Sequence, residues 1–321
     1  MLVLPAGISK SFNAKYCCGK ARDRKIDDLG YFKAIKQDLV DIAQSSTSST
    51  TPGESSGTAV KFSINPNAFY AVGFSNGAYM VTYAAVNIPL STEGQPFFRA
   101  IAPISGYQVD LPTKALEIVA STEQVGIGLF LHHSKTDPAV RISGCCSSTT
   151  MPQCCCRISE YSDSNECVSA QSFTHRWSQL YNGCTSTTTT QSGNTKSVWE
   201  HAKNGETNIS STCTTYTNKN TNHQSPNYVN ITGCIYEDGK HLGPPISQQK
   251  LGIPQIIIDY FANDACKTRF HFTTATGIGM GVDHSSRVWN SETKTCTCQT
   301  HSTTTESSSV SSGYMVFIVL H

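Results

Sequence analysis

Gly73-Phe-Ser75-Asn-Gly77 sets a serine between two glycines, directly after an apolar run and directly before a second one. That is the context a nucleophile elbow requires, a strand that turns sharply into a helix with a hydroxyl exposed at the turn. Side chains at 73 and 77 would collide with neighbouring backbone, and Ser75 itself must accept a strained conformation. The backbone N–H of Asn76 would then face an oxyanion developing on a substrate carbonyl. A serine nucleophile needs a base and a group that orients the base, in the chain order Ser, acid, His. Asp137, in His-Ser-Lys-Thr-Asp-Pro, follows an apolar strand ending near His132 and suits the acid. Of ten histidines, His241 in Glu-Asp-Gly-Lys-His follows a strand and precedes a helix, which suits the base. His284, in Gly-Val-Asp-His-Ser, is its competitor but lies outside the alternating pattern. His132 and His133 read as strand-end residues that shape the site.

The elements that must hold these residues alternate between strand and helix. Residues 26–43 predict a helix, with Asp27 and Asp28 in the first turn and Leu29, Phe32, Ile35, Leu39 and Ile42 at helical spacing. Residues 45–57 are Ser/Thr/Pro/Gly-rich and predict a mobile loop. Strands are expected at 68–73, 98–104, 126–132 and 231–236, and helices after Gly77, at 173–181 and at 254–261. Met1-Leu-Val-Leu-Pro reads as a short buried strand entering a loop. Such alternation implies an α/β fold with a mostly parallel sheet. Residues 144–168 form a Cys-rich segment read as a disulfide-stapled insertion. Beyond Cys266 no periodic pattern is found, only a Ser/Thr-rich tail ending in Tyr314-Met-Val-Phe-Ile-Val-Leu-His, too short to be an anchor.

Composition narrows the setting. Lys and Arg number 24 against 23 Asp and Glu, a net charge of +1. That balance gives no electrostatic reason to expect nucleic acid or an anionic membrane as partner. Only 15% of the 321 residues are charged, and the polarity comes instead from Ser and Thr. No apolar run approaches the roughly eighteen residues needed to cross a bilayer, so no membrane span is expected. Fourteen cysteines point to disulfides in a secreted protein, because their doublets and triplets do not match structural zinc spacing. Asn208-Ile-Ser and Asn230-Ile-Thr are glycosylation sequons consistent with secretion. The opening residues lack the basic start and apolar stretch of a signal peptide, which suggests a chain that begins within a longer protein.

Several stretches, in order, carry a family resemblance. They are Ser11-Phe-Asn-Ala-Lys-Tyr-Cys-Cys-Gly, Asp27-Asp-Leu-Gly-Tyr-Phe, Gly73-Phe-Ser-Asn-Gly-Ala-Tyr-Met, Ala100-Ile-Ala-Pro-Ile-Ser-Gly and His133-Ser-Lys-Thr-Asp-Pro-Ala-Val. Trp177 with Asn182-Gly-Cys and then Cys234-Ile-Tyr-Glu-Asp-Gly-Lys-His continue the series. On these residues the chain resembles the secreted esterases grouped with polyhydroxybutyrate depolymerases, feruloyl esterases and acetylxylan esterases. The resemblance implies an α/β-hydrolase, a mostly parallel sheet with helices on both faces. It implies Ser75 as nucleophile, Asp137 as acid and His241 as base, with Asn76 as oxyanion donor and no metal or organic cofactor. The substrate implied is an extracellular polymeric or oligomeric ester, either feruloyl or acetyl esters of polysaccharide or a polyhydroxyalkanoate.

The chain departs from the family at two places. Lys240 stands before His241 where the family has Gly, and Leu242-Gly-Pro-Pro follows where it has Trp-Pro. Family members also carry further strands, with a His-Gly loop holding a second oxyanion donor, ahead of the point where this sequence starts. Residues 1–266 are therefore expected to form an N-terminally incomplete hydrolase domain, and 267–321 a poorly ordered tail. The alternative reading is a non-catalytic, disulfide-stapled binding or surface protein on a decayed hydrolase scaffold.

Overall fold

The computed structural model describes residues 1–15, 17, 19–48, 64–92, 94–108, 126–144, 168–182, 190–193, 211–216, 229–237, 241, 255–267, 286–290, 295–299 and 314–320. The elements run β1 (Leu2–Val3), α1 (Gly19–Asp23), α2 (Asp28–Ser48), β2 (Ile64–Phe74), α3 (Asn76–Asn87), β3 (Ala100–Ile104) and β4 (Gly128–Ser134). They continue with α4 (Ala170–Asn182), β5 (Thr190–Gly193), β6 (Ser211–Tyr216), β7 (Ile231–Tyr236), α5 (Gln255–Lys267), β8 (Ser286–Asn290), β9 (Thr295–Gln299) and β10 (Tyr314–Leu320).

The main sheet has the order β1-β10-β2-β3-β4-β7-β6-β5. Strands β10, β2, β3, β4 and β7 form a parallel block, with the two-residue β1 parallel at one edge. At the other edge β6 and β5 join antiparallel, and a disulfide links the register partners Cys213 and Cys234 across β6 and β7. The strands of the block are apolar on both faces because helices cover both faces. Phe69, Ala71, Ile101, Leu129, Leu131, Ile231 and Ile318 point to one side, against Phe32 of α2, Met80 of α3 and Trp177 of α4. Tyr70, Val72, Ala102, Phe130 and Tyr236 point to the other, against Ile257 and Phe261 of α5. No helix among the described residues is long and apolar enough to cross a membrane.

Three differences from the sequence expectations have physical causes. Ile42, counted in the apolar stripe of α2, is 53% exposed, because the stripe closes through Val40 and Ala43 instead. Met1-Leu-Val-Leu forms an edge strand rather than a buried one, with Leu2 and Leu4 each 47% exposed. Tyr314–Leu320, assigned to a tail outside the hydrolase domain, lies inside the sheet beside β2. A run of seven apolar residues is what a strand covered on both faces needs. Residues 45–48 of the expected 45–57 loop belong to α2, and residues 49–57, nearly all of the Cys-rich segment and His284 lie outside the described residues.

Candidate active site

Strand β2 delivers the chain to Ser75 at the carboxyl edge of the sheet, and α3 carries it away. Ser75 takes φ 53° and ψ −115°, a region that costs an L-residue about 1–3 kcal/mol and persists only when the surroundings enforce it. They do so here. The Ser75 N–H donates to the Ile104 carbonyl at 2.9 Å, and its own carbonyl accepts from the N–H groups of Ala78 and Tyr79. A side chain on Gly73 would strike the Gly77 carbonyl, and one on Gly77 would meet the Leu320 carbonyl at 2.5 Å. Both glycines of the motif are thus required by close backbone approach.

The side chain of Asn76 grips the segment after β1. Its Oδ1 accepts from the Phe12 N–H at 2.7 Å and its Nδ2 donates to the Phe12 carbonyl at 3.1 Å. The same segment is held by Asp28, which accepts from the Asn13 N–H at 2.6 Å, and by Gln108, which donates to the Ala14 carbonyl at 3.0 Å. Burial raises the Asp28 pKa, and the Asn13 hydrogen bond partly offsets it.

Asp137 lies in the turn after β4. Its Oδ1 accepts from the N–H groups of Ala139 and Val140 at 2.8 and 2.9 Å. His133, fully buried on β4, donates from Nε2 to the Val140 carbonyl at 2.8 Å, tying the far end of that turn back to the strand. Burial pushes the His133 pKa down, although the nearby Asp137 opposes the shift. Tyr107 packs edge-on against His133 at 5.7 Å and donates to the Val168 carbonyl.

His241 meets Asp137 from β7's side. Its Nδ1 lies 3.0 and 2.9 Å from the two carboxylate oxygens, and the Asp137 side chain is shut off from solvent while the histidine stays 26% exposed. The strand ends that bring them together are joined by the Lys135 N–H donating to the Tyr236 carbonyl and by the Lys135–Glu237 ion pair. Phe74, the residue before Ser75, holds its ring 5.1 Å from the His241 ring.

The residues singled out from sequence thus gather at one edge of the sheet. Asp137 and His241 bond directly, and His241 packs beside the elbow. Ser75 and His241 share no hydrogen bond, which is common for such groups in the absence of substrate. His133 is buried at the strand end as expected, and its grip on Val140 and the grip of Asn76 on Phe12 were not foreseen. The Ser11-Phe-Asn-Ala stretch was the available signal for the second. No family model matches the chain, and no curated protein or solved structure matches it either.

Proposed function

We propose that the chain is a serine carboxylic-ester hydrolase with an α/β-hydrolase fold. The observation that carries the reading is the Asp137–His241 contact, at 3.0 and 2.9 Å, beside a strained Ser75. In this mechanism Asp137 accepts from His241 Nδ1–H and so keeps Nε2 free as the base. His241 removes the Ser75 proton as Oγ attacks the ester carbonyl, and the Asn76 N–H at the start of α3 stabilises the oxyanion, aided by the helix dipole. His241 then gives the proton to the leaving alcohol. Water, activated by the same imidazole, releases the acid from the acyl-enzyme. The substrate class is an extracellular polymer-linked ester, feruloyl, acetyl or hydroxyalkanoate, on the family resemblance. The Cys213–Cys234 disulfide fits an oxidising compartment.

The Ser/Thr-rich sequence of residues 301–313 favours a second reading, a non-catalytic binding protein on this scaffold. Turnover decides between them. Purified protein given aryl acetate, methyl ferulate and hydroxybutyrate oligomers should hydrolyse at least one, and Ser75→Ala should not. Binding of an ester-bearing polysaccharide with no hydrolysis of any of the three would support the second reading instead.

A further inference from the structure

Strand β10 enters the sheet from far along the sequence, yet it lies next to the strand that carries Ser75. It runs parallel between β1 and β2, with Leu320 in register with Gly73 and Ile318 with Ala71. Two routes lead from it to the elbow. The direct one is backbone contact: the Leu320 carbonyl lies where any side chain on Gly77 would have to go, so Leu320 abuts the first turn of α3. The second passes through β1, whose Leu2 and Val3 pair with Phe317 and Ile318 of β10. Beyond β1 the chain reaches Phe12, which the Asn76 side chain holds at both its N–H and its carbonyl. The first turn of α3 therefore touches β10 at Gly77 and the segment after β1 at Asn76. The buried side chains of β10, Ile318 and Leu320, complete the same core that seats α3.

We propose that β10 is a positioning strand for the nucleophile, whose insertion between β1 and β2 sets the conformation of Ser75. The inference rests on the reading of Ser75 as nucleophile, and it adds that activity depends on β10 occupying its slot. Ser75 holds a positive φ only because its neighbours leave no alternative, and β10 is the neighbour that backs Gly77. Displacement of reacting groups by about 1 Å costs on the order of 100-fold in rate.

Two variants of the full chain separate positioning from plain stability. Leu320→Ala keeps the carbonyl that backs Gly77 but removes the buried side chain that anchors that strand end, and Ile318→Ala removes an equally buried side chain on the same face, one pleat further from the elbow. The proposal expects similar losses of Tm. It expects Leu320→Ala alone to lower kcat, by about 10- to 100-fold with KM nearly unchanged, and to speed amide exchange at residues 75–79. Equal kcat and equal exchange in the two variants would overturn it. If Leu320→Ala does not fold, a chain with a protease site inserted in residues 300–313 decides. After cleavage and removal of the 314–321 peptide, fluorophosphonate labelling of Ser75 should fall and should return when the synthetic peptide is added. Undiminished labelling without the peptide overturns the proposal, as does labelling that the peptide fails to restore. A wild-type protein without turnover or labelling would remove the nucleophile reading, and exchange at 75–79 would still judge the strand's role.

Discussion

The Nδ1 atom of His241 stands almost equidistant from both carboxylate oxygens of Asp137, at 3.0 and 2.9 Å. Asp137 is not free to follow the histidine, because its Oδ1 also accepts two backbone N–H groups of its own turn. Asp137 is fixed by backbone, and His241 is fixed by Asp137. Asp137→Asn should keep one oxygen for the turn while it spoils the tautomer of His241. The expected result is a fall in kcat of about 10³- to 10⁴-fold on a reactive aryl ester with little change in Tm.

Asn76 links the elbow to the segment after β1 through two hydrogen bonds. Asn76→Ala removes both and leaves the backbone N–H in place. At about 1 kcal/mol for each bond, stability should drop by about 2 kcal/mol. Urea denaturation measures that loss, and hydrogen exchange should show faster turnover of the Phe12 and Asn13 amides.

Buried histidine makes the fold acid-sensitive. Burial holds the His132 pKa at about 3, against an ordinary 6.5. Between those values the unfolded chain binds a proton that the folded chain refuses, so stability rises with pH across the window and falls as pH drops below 6.5. One pKa unit is worth about 1.4 kcal/mol. The stability of the wild type relative to His132→Gln should therefore fall by about 2 kcal/mol between pH 7 and pH 5. A difference independent of pH would show that His132 does not titrate this way.

Arg99 and Asp264 form an ion pair at 3.1 Å with each side chain only 4% exposed, joining the start of β3 to α5. Tyr70 donates to the same carboxylate at 3.3 Å, and burial beside that carboxylate raises the Tyr70 pKa. Removing one partner strips a buried charge of this counter-ion, so Arg99→Met or Asp264→Leu alone should cost about 3–5 kcal/mol. The double variant should cost clearly less than the sum, and a double-mutant cycle on urea midpoints reads the difference.

Much of the fold was legible because its elements follow simple periods. The 231–236 strand matches β7 at both ends, and the elbow motif predicted the turn from β2 into α3. Ser75, Asp137 and His241 were singled out because each follows an apolar run, and the structure sets His241 against both Asp137 and Phe74, the neighbour of Ser75. The place of Leu320 beside Gly77 was not legible. An apolar run of seven carries no periodicity that names its neighbours, and its pairing with β2 spans most of the chain. The Asn76–Phe12 contact was hidden for a similar reason, since nothing local marks a side chain that binds backbone 64 residues away. Ile42 misled because a helical stripe drifts around the axis, and the core took Val40 and Ala43 instead.

The account stands or falls on Ser75. Incubation of the folded protein with a fluorophosphonate, followed by peptide mass spectrometry, reads the nucleophile directly. A single adduct is expected on the peptide containing Ser75, absent from Ser75→Ala and strongly slowed in His241→Ala. An adduct that persists in Ser75→Ala, or turnover of esters with Ser75 unmodified by the probe, would contradict it.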